Sequence, residues 1–129
     1  MVSNIRLNPE DTIDSAVEYI RKTVGDDSVK LEVIHGMDPS RISRTDCDGW
    51  KKVSRAVAST WKGCIVSPYL MVQCSDCRHY GEISDRVYRF SAMDLTKEER
   101  ASIHGNNEKI RLETVGKAVE FFIRLMRQC

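Results

Sequence analysis

The 129-residue sequence has no excess of charge of either sign. Twenty Lys and Arg stand against 19 Asp and Glu, for a formal net charge of +1. The two signs interleave along the chain, so no basic footprint for phosphate forms and nucleic acid is not an expected partner. No apolar run approaches the ~20 residues that span a bilayer, and no membrane interaction is expected. The opening stretch MVSNIRLNPE lacks the charged-then-apolar order of a signal peptide, so the expected location is cytoplasmic. Histidine is scarce, with three in the chain. None falls in an H-x-D or H-E-x-x-H pattern, and a hydrolytic zinc centre needs several His, Asp or Glu ligands and a general base.

What is present describes an ordinary globular domain, 41% hydrophobic and 30% charged, without internal repeat or low-complexity tract. Five cysteines (Cys47, Cys64, Cys74, Cys77, Cys129) form an odd set, read as thiols of a reducing compartment.

Val2 to Leu7 suits a short strand, with Ile5 and Leu7 on one face and Asn4 and Arg6 on the other. Asp11 or Thr12 can cap a helix through Ile13, Val17, Ile20 and Val24 that Gly25 ends. Val29, Leu31 and Val33 alternate with Lys30 and Glu32, the pattern of a half-buried strand. His35 to Asp48 reads as a linker or crossing loop. Trp50, Val53, Val57 and Trp61 mark a second helix closed by Gly63. Ile65 to Val72, interrupted by Pro68, suggests a buried strand, and Val87 to Phe90 another. Thr96 and Glu99 form a capping-box pair for a short helix reaching His104. A last helix offers Leu112, Val115, Val119, Phe122, Ile123 and Met126 as its buried stripe. The expected class is α/β. The opening strand–helix–strand is too small to make a stable sheet alone, so the chain reads as a piece of something larger.

Three features carry possible chemistry. Cys74-Ser-Asp-Cys77, with His79 nearby, is half of a zinc or redox motif, but no second pair follows and loop thiols are the better reading. Arg78 follows an expected buried strand, where α/β proteins bind ligands, and its planar fork suits a carboxylate. A surface ion pair is the competing reading. In IHGNNEKI, Ile103 to Ile110, a histidine stands before a glycine, with a carboxylate four positions on. An isolated loop histidine is more often solvated than a ligand.

Taken in order, NIRLNPEDT (Asn4 to Thr12), PYLMVQCSDCRHY (Pro68 to Tyr80), VYRFSAM (Val87 to Met93) and IHGNNEKI resemble the C-terminal part of the zinc-dependent aminoacylase/carboxypeptidase metallopeptidases. That family includes aminoacylase, glutamate carboxypeptidase, succinyl-diaminopimelate desuccinylase and carnosinase. The resemblance implies a partial ferredoxin-like lid over residues 1–35, able to dimerise, followed by the C-terminal portion of an α/β catalytic domain over 36–129. It implies that His104 binds one of two zinc ions and that Gly105 lets the backbone pass close by. Arg78 would receive the substrate's free carboxylate. Asn4 and Arg6 would approach the scissile carbonyl or that carboxylate on lid closure, and Asn107 would touch substrate.

The chain departs from the family pattern at Gln73–Cys74, where small residues are usual and added bulk could crowd the pocket beside Arg78. It also departs at Cys77 and Ala92. The remaining metal ligands and the catalytic glutamate belong to the family's N-terminal half, so the isolated chain is expected to be inactive. The implied function is a C-terminal fragment of a di-zinc hydrolase cleaving an amide next to a free carboxylate. Its substrate would be an N-acyl amino acid or small peptide, and its partner the missing N-terminal half. The alternative is a non-catalytic remnant or partner-binding module.

Overall fold

The computed structural model describes residues 1–71 and 75–129. Among them lie five helices: α1 (Ile13–Val24), α2 (Asp48–Thr60), α3 (Cys77–Tyr80), α4 (Lys97–Ala101) and α5 (Leu112–Met126). There is no β-strand among the described residues. The α/β class and the strand–helix–strand lid are therefore corrected: the described residues form helices joined by long irregular segments.

Alternation of apolar and polar residues is necessary for a half-buried strand but does not supply the neighbour with which a ladder pairs. Residues 2–7, 29–33, 65–71 and 87–90 are irregular. The Val87 backbone shows what replaces the ladder. Its N–H donates to Ser43 Oγ at 3.1 Å, and the same hydroxyl donates to Val87 O at 2.7 Å. One side chain thus satisfies both polar groups that a neighbouring strand would have taken.

The chain divides into two compact units. The first joins residues 1–43 to the described part of 70–87. In it α1 begins at a capping box: Thr12 Oγ1 accepts from Ser15 N–H at 3.1 Å, and Ser15 Oγ accepts from Thr12 N–H at 2.9 Å. Thr12 is thus the cap, and Asp11 is not. Asp38 Oδ1 takes the Ile13 N–H at 2.8 Å, satisfying another donor at the helix start. Gly25, at φ 61°, ends α1 with its N–H on Arg21 O. Gly36 packs closely on α1, where a Cβ would lie 2.7 Å from Ile13 Cδ1 and would displace the end of that side chain. Among the described residues, none of the buried ones lies in this unit.

The second unit, 44–69 with 88–129, holds the core. Helix α2 packs on α5, and Ala56, Val57, Ala92 and Phe121 form the buried centre with Val53, Trp61, Val66, Ala118 and Leu125 against it. Phe121 meets Phe90 at 5.0 Å and Trp61 at 5.9 Å between ring centroids, in tilted pairings favoured by ring quadrupoles. The expected stripe of α5 is also corrected. Thr114 and Phe121 are the buried positions of α5, and Ala118 and Leu125 flank them. Leu112, Val115, Val119, Phe122, Ile123 and Met126 are all exposed. The helix carries two adjoining apolar faces, and periodicity alone does not say which one meets α2.

Candidate functional site

The turn that carries His104 is built from both ends. Thr96 caps α4, its Oγ1 accepting from Glu99 N–H at 3.2 Å, while Glu99 Oε2 accepts from Thr96 N–H at 2.7 Å. The other oxygen of the same carboxylate, Oε1, accepts from Arg111 N–H at 2.9 Å and Arg111 Nε at 3.1 Å. Arg111 also donates to Asp94 O, and Thr114 Oγ1 donates to that carbonyl at 3.3 Å. Glu99 is only 4% exposed. It ties the start of α4 to the residue that opens α5, closing the loop between them.

These hydrogen bonds hold the Glu99 carboxyl below its ordinary range. The Thr96 N–H contributes most, and the Arg111 backbone and guanidinium add to it against the opposing effect of burial. Glu98–Glu99 is the chain's Glu-Glu dipeptide, and its buried member is committed to this structural clamp.

Within the closed loop His104 sits at φ 66°, the one left-handed non-glycine among the described residues. That region costs an L-residue about 1–2 kcal/mol, and such strain gathers at functional sites. Glu108 supplies the compensation, its Oε2 accepting the His104 N–H at 3.0 Å. The carboxylate four positions on therefore holds the histidine backbone. Gly105 donates its N–H to Ser102 O at 2.8 Å, and a Cβ at Gly105 would lie 3.0 Å from that oxygen. Glycine next to the histidine thus avoids a tight contact with the Ser102 carbonyl, while the unusual φ falls on the histidine itself. His104 and Asn107 share this exposed turn.

Arg78 lies in the first unit on the single turn of α3, half-buried, and its Nε donates to His79 Nε2 at 3.2 Å. Successive bonds from Arg78 N–H to Ser75 O and from His79 N–H to Asp76 O wind the segment into that turn. The sequence placed Arg78 after a buried strand. Instead residues 65–71 are irregular, with Ile65, Tyr69 and Leu70 exposed. Asn4 and Arg6 lie in the irregular exposed segment before α1. The departure at Gln73–Cys74 lies outside the described residues, and so does Cys74 of the CSDC pair; its Cys77 opens α3, half-buried.

Among the described residues no three His, Cys, Asp or Glu side chains gather where they could hold a metal ion. The donors among the described residues do not by themselves fit a di-zinc centre, since His104 offers one imidazole where each ion needs three or four ligands. No helix among the described residues is long and apolar enough to cross a membrane.

No family model and no solved structure matches the chain. Curated relatives do. The N-fatty-acyl-amino acid synthase/hydrolase of Xenopus tropicalis is 33% identical over 125 residues, covering 96% of this chain and 24% of the relative. Over almost its whole length the chain is similar to the C-terminal part of the aminoacylase/carboxypeptidase family. The corresponding enzyme of Mus musculus is 29% identical over 127 residues, again 96% of this chain and 25% of that protein. A probable carboxypeptidase S-like protein of Dictyostelium discoideum is 23% identical over 96% of this chain and 24% of its own length. The chain thus spans about a quarter of the length of these relatives, and the family match is to its C-terminal part. The family resemblance read from the four motifs holds.

The clamp that orders the histidine turn was only half legible. Thr96 and Glu99 announce a capping box, but nothing in the spacing of Arg111 marks it as the second partner of Glu99. Ser43, which replaces a strand neighbour, gave no signal either.

Proposed function

We propose that this chain is the C-terminal part of a metal-dependent hydrolase that cleaves an amide next to a free carboxylate, with N-acyl amino acids or small peptides as substrates. The names of the relatives in Xenopus tropicalis and Dictyostelium discoideum support this substrate class. The observation that carries the reading is His104. The residue assigned by the motifs as a metal ligand is also the described non-glycine residue held in a left-handed conformation, on a turn clamped by Glu99 and Arg111 and braced by Glu108.

In the complete enzyme two zinc ions would be held mainly by residues outside this chain, and His104 would add one neutral imidazole. Arg78 would bind the substrate carboxylate through paired N–H donors. Asn4 and Arg6, from the region 1–35 assigned to the lid, would donate hydrogen bonds at the scissile end, and Asn107 would touch substrate from the histidine turn. The region 36–129 belongs on this reading to the catalytic domain. A homodimer through the lid and a cytosolic location complete the proposal.

A chimera tests it. The matched quarter of the Xenopus tropicalis relative is replaced by this chain, and hydrolysis of N-acyl amino acids is followed with and without chelator. Chelator-sensitive hydrolysis is the expected result, while a folded chimera without activity would favour the non-catalytic module. Arg78→Ala in the active chimera should lower kcat/KM by roughly 10- to 100-fold, chiefly through KM, because a charge-assisted hydrogen bond contributes about 1.5–3 kcal/mol. An unchanged KM would remove Arg78 from the substrate site.

A further inference from the structure

Helix α5 has more apolar surface than its neighbour can cover. At about 100° per residue, Thr114, Ala118, Phe121 and Leu125 take the arc that meets α2. Leu112, Val115, Val119, Phe122, Ile123 and Met126 fill the adjoining arc, and all are exposed. Charge is confined to the remaining seam, where Glu113 pairs with Lys117 and Glu120 with Arg124. A helix apolar around most of its circumference is characteristic of one packed on two sides. By contrast, α2 has one apolar face and turns Lys51, Arg55 and Ser59 away from it.

Gly116 is a second, independent observation. It stands inside α5 at the border of the exposed apolar arc, beside Val119 and Ile123 on one side and Glu120 on the other, and a Cβ there would meet nothing within 4 Å. Glycine weakens a helix interior, and nothing in the described structure requires it at this position. A surface pressed closely against the helix would.

We propose that the outer apolar face of α5 is the seat of the part of the hydrolase that this chain does not contain, with Gly116 as the point of closest approach. The inference rests on the reading of the chain as one part of a longer enzyme. The relatives support this occupant: almost all of this chain aligns with them, yet it accounts for only 24% of the Xenopus tropicalis protein.

The test titrates the full 129-residue chain against the portion of the Xenopus tropicalis relative outside the match, produced separately, and follows binding by calorimetry and sedimentation. A one-to-one complex is expected. Val115→Asp/Val119→Asp should weaken it by about a hundredfold or more, because two charges would be buried without partners. Lys117→Glu, on the charged seam, should leave it unchanged. Circular dichroism of each free variant should match the wild type, since both valines are already in water. Gly116→Ala should raise the Tm of the free chain while weakening the complex, an opposition that a purely structural glycine would not give.

Wild-type binding by the double-Asp variant would overturn the docking face while leaving the fragment reading standing. Equal losses from the face and seam variants would do the same. A concentration-dependent dimer of the chain alone, abolished by the double-Asp change, would assign the face to a second copy instead. No complex with the wild-type chain would count against the fragment reading itself, and the docking face would fall with it.

Discussion

Two residues decide how the candidate site is presented, and each makes a separable prediction. His104 bears a left-handed backbone that glycine would adopt without penalty. His104→Gly should therefore stabilise the chain by about 1 kcal/mol, read as a higher Tm or denaturant midpoint, although it deletes the imidazole. A loss of stability would mean that the ring is needed for folding. Glu99 makes the second prediction through pH. Its carboxyl is held below its ordinary value of 4.5, first by the Thr96 N–H and then by Arg111. A lowered folded value contributes stability that is complete above the ordinary value and is lost as pH falls through the folded one. The Tm should fall on acidification below that range, and Glu99→Gln should be less stable at neutral pH with a flatter acid limb. A limb as steep in Glu99→Gln as in the wild type would show that other carboxylates carry it. The motifs named His104 from the sequence, but its φ and the Glu108 brace became visible only when the loop was closed by Arg111, twelve positions from Glu99.

Helices were legible in the sequence to the extent that caps and period were local. Thr12 and Gly25 bound α1, and Thr96 with Glu99 begins α4, because each signal acts within four residues. Strands were not, because alternation at Val29, Leu31 and Val33 says nothing about a pairing partner, and none pairs with them among the described residues. The face of α5 was missed for a related reason. Its sequence reads as apolar on either of two neighbouring arcs, and the choice is made by Trp61 and Phe90 packing on Phe121. Substitutions check that assignment. Phe121→Ala should cost about 3–5 kcal/mol, as for a buried ring. Met126→Ala, on the exposed arc, should stay within about 0.5 kcal/mol. Chemical denaturation of the two variants gives the comparison, and equal costs would mean that the outer arc is buried in the free chain too.

At the scale of the whole molecule, a small buried centre is accompanied by an unusual amount of exposed apolar surface. The buried side chains lie in the unit of α2, α4 and α5, while the unit of α1 and α3 has none among the described residues. The family relation explains why the motifs persist in a chain that spans about a quarter of its relatives. On the proposed function, the chain contributes a histidine and an arginine to a centre whose other ligands it does not carry. The most direct measurement is hydrolysis of an N-acyl amino acid by the chimera carrying this chain, compared between wild type and His104→Gly at saturating zinc. If His104 is a metal ligand, the variant loses at least about a hundredfold in kcat/KM while its Tm is equal or higher. Undiminished hydrolysis by a chimera lacking the imidazole would contradict that role.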